Sequence, residues 1–287
     1  MEQKTTRDQA RILVELLISD WRPTMTQILW SIRVAIVLGI LILIGYFNSV
    51  TLWDWLELLI VPAIIATVGI WFNRQQQERQ LRISEHRAQD DAVQAYLDQM
   101  SQLLTDKDRP LHRARSGDNL STVARARTLT VLQMLDGHRK RSIVQFLHEG
   151  GLIKRGVAAP VVKLDHANLK YARLRGIYLE NAQLQAVYFQ DADLRHSYLR
   201  GAVLYNSNLR NAKLESADLS PSESNGNKQP TNLDGVDLLN ADLKKANLRG
   251  ADMRQVKYLV QRQIENAEGD LDTQLPTGLT RPPHWSD

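Results

Sequence analysis

The alternation of apolar and polar positions changes character three times along the chain. From Ile28 to Phe47, and again from Trp53 to Phe72, almost every position is apolar. Each run is about 20 residues, roughly 30 Å as a helix, the thickness of a bilayer hydrocarbon core. Only Asn48 to Leu52 separates them, which predicts a tight helical hairpin across a membrane. Arg11, Arg22 and Arg33 flank one end, Arg74, Arg79, Arg82 and Arg87 the other, and the link carries no Lys or Arg. That asymmetry predicts an integral membrane protein with two spans and both termini cytoplasmic. Trp30 and Trp71 mark the inner boundary, Trp53 and Trp55 the outer one. Arg33, Asp54 and Glu57 read as snorkelling groups, and Pro62 as a kink in the second span.

After Phe72 the apolar density falls and a helical period emerges. Val93, Tyr96, Leu97, Met100, Leu103 and Leu104 recur at spacings of three and four, so Asn73–Leu104 reads as a long helix with a late packing face. Thr105–Leu120 holds Pro110 and Gly117 and reads as a loop. A second helix follows Ser121, broken at Asp136-Gly137. A third runs to about His148 before Gly150-Gly151. The run His138-Arg139-Lys140-Arg141 reads as a solvated helix face.

From Val162 the period becomes five. Large apolar residues stand at Leu164, Leu169, Leu174, Leu179, Leu184, Phe189, Leu194, Leu199, Leu204, Leu209, Leu214 and Leu219, each with a small or β-branched residue two positions earlier. The register breaks over Ser220–Pro230 and resumes at Leu233, Leu238, Leu243, Leu248 and Met253, with Val256 and Tyr258 as a degenerate last unit. Five fits neither a helix nor a strand. It fits a four-sided coil of 20 residues per turn, with the leucines stacked inside and turns about 4.8 Å apart.

The repeat resembles the pentapeptide-repeat family, whose motif is Ala, then Asp or Asn, then Leu, then any two residues. Ala167-Asn168-Leu169, Ala192-Asp193-Leu194, Ala217-Asp218-Leu219, Ala241-Asp242-Leu243 and Ala246-Asn247-Leu248 carry it. The resemblance implies a right-handed quadrilateral β-helix, here preceded by a two-helix transmembrane hairpin and a small α-helical connector. The connector around Asp108–Leu111 and Val123–Leu129, and the tail from Gly269 to Trp285, are similar to membrane-anchored bacterial members of a cyanobacterial type. Those imply a bacterial inner or thylakoid membrane. The domain reading is 1–27 as a cytoplasmic segment, 28–72 as hairpin and 73–160 as connector. It continues with 161–258 as coil with a loop at 220–232, and 259–287 as cap and tail.

Residues 20 apart should stack. Arg173, Asp193 and Lys213 then alternate in sign, Glu180 lies beneath Arg200, and Tyr178 lies beneath Tyr198. Arg175 beneath Arg195 is a like-charge contact, relieved by Glu215 above or by an acidic partner. The polar insertion Pro221–Pro230 must leave the coil as a loop. The candidate partner-binding residues are therefore Arg175, Arg195, Tyr178, Tyr198, Asn225 and Lys228. Leu259–Ala267 should form a capping helix, with Pro282–Trp285 pinning the tail to the wall.

Charge sharpens this division. Of 287 residues, 36 are Lys or Arg and 32 Asp or Glu, a net charge of +4. The net charge is 0 over 1–27, −1 over 28–72, +5 over 73–160, +3 over 161–258 and −3 over 259–287. There is no cysteine, which excludes disulfides, cysteine nucleophiles and cysteine metal sites. The seven histidines lack metal-ligand spacing, and neither a phosphate loop nor a nucleophile elbow occurs. No catalytic, cofactor-binding or metal residue is assigned, and no cofactor. The sequence reads as a membrane-anchored, non-enzymatic scaffold that presents the coil to an unidentified protein partner, with lipid contacted through 28–72. Two alternatives are a component or regulator of a membrane transport assembly, built as a homo-oligomer, and a topoisomerase-binding DNA mimic. The basic coil opposes the second, and no nucleic-acid partner is expected.

Overall fold

The computed structural model describes residues 52–155, 159–224 and 226–285, together with Gly39. The chain divides into a unit over Met1–Arg79 and a unit over Gln80–Asp287. Helix α1 covers Leu52–Thr105, a 3-10 turn Leu111–Arg113, α2 Asn119–Met134 and α3 Gly137–Glu149. Strands β1 (Ser222–Ser224) and β2 (Asn227–Gln229) follow, then a four-residue helix α4 (Gln261–Ile264).

The membrane expectation is corrected here. Among the described residues, no helix is long and apolar enough to cross a membrane. The reading as a two-span integral protein of a bacterial inner or thylakoid membrane, with lipid contact through 28–72 and both termini cytoplasmic, is withdrawn with it. The first apolar run, Ile28–Phe47, and the segment 1–27 lie outside the described residues.

The coil has the predicted architecture. Parallel bridges join residues 20 apart on four sides, for example Gln183↔Val203, Asn168↔Tyr188, Arg173↔Asp193 and Tyr178↔Tyr198. At most of the leucine positions the carbonyl accepts from the amide three residues on, as in Ala167 N to Leu164 O (2.8 Å) and, at the one phenylalanine, Ala192 N to Phe189 O (3.0 Å). The residue before that amide has a positive φ: His166, Tyr171, Asn181, Ala186, Asp191 and His196 lie between 54° and 64°. A hydrogen-bonded turn with positive φ at its third position is type II. A turn at every fifth residue leaves one bridging residue per side, so the walls are rows of single bridges rather than long strands. Leucines and the alanines two positions before them are fully buried. Ser197 and Ser207 take the alanine position inside, and among the described residues neither hydroxyl finds a partner.

The insertion shifts the stacking interval to 29 residues, so that Val203 pairs with Asn232 and Asp218 with Asn247. It is a hairpin rather than an irregular loop, with Ser222 opposite Gln229 and Glu223 opposite Lys228. Its base seats on Gly201. A Cβ there would lie 2.2 Å from Ser222 Oγ, and the φ of 63° also favours glycine. Thr231 replaces the interrupted wall: its buried hydroxyl accepts from Gly201 N (3.0 Å) and donates to Ser220 O (3.0 Å).

Both ends of the coil are covered. At the far end Gln263 Nε2 reaches Leu238 O and Ala241 O, and the buried Trp285 donates from Nε1 to Ala267 O (2.9 Å), as the tail was expected to do. The expected helix over 259–267 shrinks to α4, and Tyr258 points outward, 58% exposed, over Arg210. At the near end the missing lower turn exposes carbonyls. Within the coil, the left-handed residue of one turn donates upward, as Tyr171 N does to Gln190 O and Gly176 N to Arg195 O. The corresponding carbonyls of the first turn, Asp165, Lys170, Arg175 and Glu180, have no turn beneath them. Four basic side chains from the helices take that place. Arg125 reaches Asp165 O (3.2 Å), Lys140 Nζ reaches Lys170 O (3.0 Å), Arg141 reaches Arg175 O, and His148 Nε2 donates to Glu180 O (2.9 Å). The basic run at 138–141 is therefore not a solvated face. Lys140 is buried, Arg139 is held by Asp90 and Asp136, and Arg141 caps the coil.

This cap has a pH signature. Burial pushes His148 below its ordinary value of 6.5. As pH falls through 6.5 the unfolded chain takes up a proton before the folded one does, so stability falls with pH. The unfolding midpoint should drop between about pH 7.5 and about pH 5.5 in the native chain. His148→Gln keeps a donor for Glu180 O without titrating and should flatten that interval. An equal drop in the variant places the acid sensitivity elsewhere.

Candidate functional site

Five-residue units assign every outward side chain to one of four sides. The third side consists of units 172–176, 192–196, 212–216 and 241–245, and the fourth begins with 177–181 and 197–201. Tyr178 and Tyr198 occupy the bridging position of the fourth side on successive turns. Their rings stack in parallel, 4.4 Å between centroids and 3° between planes. They are 58% and 41% exposed, so the stack is a solvent-facing aromatic plate. The hydrogen bond with the Tyr178 hydroxyl raises Tyr198 above the ordinary tyrosine value.

Arg175 and Arg195 stand three residues before these tyrosines, across the same corner of the coil, so the register places all four around one edge. The like-charge contact between the two arginines is relieved mainly within one unit rather than by Glu215 above. Arg195 folds back on Asp193 through two bonds, Nε to Oδ1 (2.8 Å) and Nη2 to Oδ2 (2.7 Å). That pairing raises Arg195 and lowers Asp193 from their ordinary values. Arg195 is therefore committed internally, whereas the Arg175 side chain has no ion pair among the described residues. Arg200 pairs with Asp218 (3.9 Å) instead of Glu180 beneath it. Lys228 is exposed on β2, on the hairpin that leaves the coil at the other corner of the fourth side. Asn225 lies outside the described residues.

The sequence reading missed Arg125, Lys140, Arg141 and His148 as caps. Its one signal was the excess of +5 over 73–160. Among the described residues no group of histidines and carboxylates could hold a metal ion. A cavity of about 600 Å³ lies between the last turn and α4, lined by Asp242, Lys244, Tyr258, Arg262 and Gln263 among others.

The family model described as pentapeptide repeats matches in 8 copies over residues 163–201, 182–220 and 231–257. A pentapeptide repeat protein of the Arabidopsis thaliana thylakoid lumen is 24% identical, covering 36% of this chain and 58% of its own, with a TM-score of 0.25. HetL, a pentapeptide repeat protein involved in heterocyst differentiation regulation in the cyanobacterium Nostoc sp. strain PCC 7120, is 29% identical. That match covers 42% of this chain and 49% of HetL, with a TM-score of 0.24. QnrB1, a plasmid-mediated fluoroquinolone resistance protein, is 17% identical over 42% of this chain and 60% of its own, with a TM-score of 0.24. The chain thus spans about half to three fifths of the length of these solved proteins. No curated protein matches the chain. The family model thus falls on the same residues that form the coil.

Proposed function

We propose that the coil is a rigid, non-catalytic platform for binding another protein, with the Tyr178–Tyr198 plate as its anchor and Arg175 and Lys228 at its margins. The exposed parallel stack carries this reading. Tyrosine offers large contact area with little rotamer entropy to lose, and such residues dominate interface energies. The plate is held by the stacking of the wall itself, so it is ordered before any partner arrives, which lowers the cost of association.

The test is crosslinking of the full chain in extracts of its native cell, with the captured protein identified and its affinity then measured. Tyr178→Ala with Tyr198→Ala should weaken that affinity by about 2 kcal/mol, roughly 30-fold. Both side chains are surface groups, so the unfolding midpoint should move little. Unchanged affinity in the double variant overturns the anchor.

A further inference from the structure

We infer that the third side of the coil is a docking face for an acidic segment of a partner protein. The inference rests on the reading of the coil as a protein-binding platform and adds the chemistry of what it binds. The observation is a segregation of charge that only the folding of the chain into sides reveals. Units 172–176, 192–196, 212–216 and 241–245 hold six basic and three acidic residues, while the other three sides and the hairpin hold eight of each. The whole +3 of residues 161–258 therefore lies on one side.

Most of the cations there lie outside close ion pairs. Arg195 is taken by Asp193, but the side chains of Arg173, Arg175, Lys213, Lys244 and Lys245 are exposed and have no ion pair among the described residues. The bridges Arg173↔Asp193, Asp193↔Lys213 and Lys213↔Asp242 fix their order up the wall. Arg173 and Lys213 stand two turns apart, about 10 Å. Because the wall sets these positions, little side-chain ordering remains to oppose binding beyond that of the cations themselves. The Tyr178–Tyr198 plate borders this side, so charge and aromatic area adjoin.

A protein segment fits this face better than a nucleic acid does. Duplex binding draws on about 6 to 10 phosphate contacts and a continuous cationic track. Here Asp193, Glu215 and Asp242 interrupt the track and oppose an unbroken polyanion. A peptide can place its carboxylates opposite the unpaired cations and leave neutral residues opposite the acids.

The test uses the full chain and a fluorescently labelled oligoglutamate, with oligothymidylate and phosphatidylserine vesicles as competing anions, read by anisotropy and co-sedimentation. Oligoglutamate should bind at about 50 mM salt and weaken by about 200 mM, as exposed charge pairs do. Arg173→Gln, Lys213→Gln and Lys244→Gln together should weaken it about tenfold, the sum expected of three exposed pairs. Lys163→Gln, Arg254→Gln and Lys257→Gln, on other sides, should leave it unchanged. Equal loss in both triple variants reduces the effect to net charge and overturns the inference. So does an absence of oligoglutamate binding, or tighter oligothymidylate or vesicle binding that the first triple variant removes. The tyrosine double variant separates the two readings: oligoglutamate binding that survives it while the native partner is retained removes the anchor and leaves the docking face. Unfolding midpoints of all variants, compared with the native chain, exclude global unfolding as the cause.

Discussion

Gly137→Ala is expected to lift helix α3 from the first turn of the coil and to cost about 3 kcal/mol, the upper range for overpacking, because the clash is with backbone. Gly137 opens α3 directly after Asp136, whose side chain accepts from the amides of His138 and Arg139. A Cβ on Gly137 would lie 2.0 Å from Tyr171 O. Neither partner can rotate away, since Tyr171 holds a left-handed turn with a φ of 58° and its own amide donates to Gln190 O. Gly137 O meanwhile accepts from Arg173 N (2.6 Å), so the helix start and the coil share one backbone contact. Separating them also withdraws Lys140 and Arg141 from the carbonyls they cap. Urea unfolding reads the stability, and amide exchange over 165–180 reads the cap. A loss under about 1 kcal/mol would mean that α3 slides without penalty, contrary to this account.

Phe189→Ala should cost still more, about 3 to 5 kcal/mol. Phe189 is fully buried and is the only aromatic among the leucine positions from Leu164 to Leu219. Its wall neighbours are fixed above and below, because Phe189 N donates to Asn208 O and Tyr188 N to Ala167 O. Walls pinned by such bonds on four sides cannot collapse into the space left behind, so the cavity remains largely open. Phe189→Leu restores the residue type of the rest of the ladder and should cost about 1 kcal/mol. Chemical unfolding of the two variants side by side checks the ordering, and equal losses would show that the interior does not discriminate shape at this position.

Legibility of the fold and of the site differed, for physical reasons that particular residues display. The pairs Tyr178–Tyr198 and Arg173–Asp193 could be written down from the repeat alone, since both follow from a period of five on four sides. The partner of Arg195 could not. Stacking placed Glu215 above it, yet the side chain turned to Asp193 within its own unit, where two short bonds form without spanning a turn. The basic run at 138–141 looked solvated because local patterning shows which residues are polar, not which carbonyls a neighbouring element leaves open. The apolar run of 53–72 misled in a related way: counting apolar letters does not establish a membrane-length apolar helix, and the described residues contain none.

What the amino-acid sequence determined by itself was the coil: its turn of 20 residues, its buried leucines and alanines, the columns on its walls and the place where an insertion must leave it. These depend only on covalent spacing and on which side chains avoid water. What the tertiary structure alone decided was the use of the charges. Arg125, Lys140, Arg141 and His148 became caps because helices distant in sequence pack beneath the first turn, where unpaired carbonyls demand donors. The unpaired cations gathered on the third side because coiling brings together residues that lie 20 or more apart in the chain, where a linear count shows only a diffuse +3.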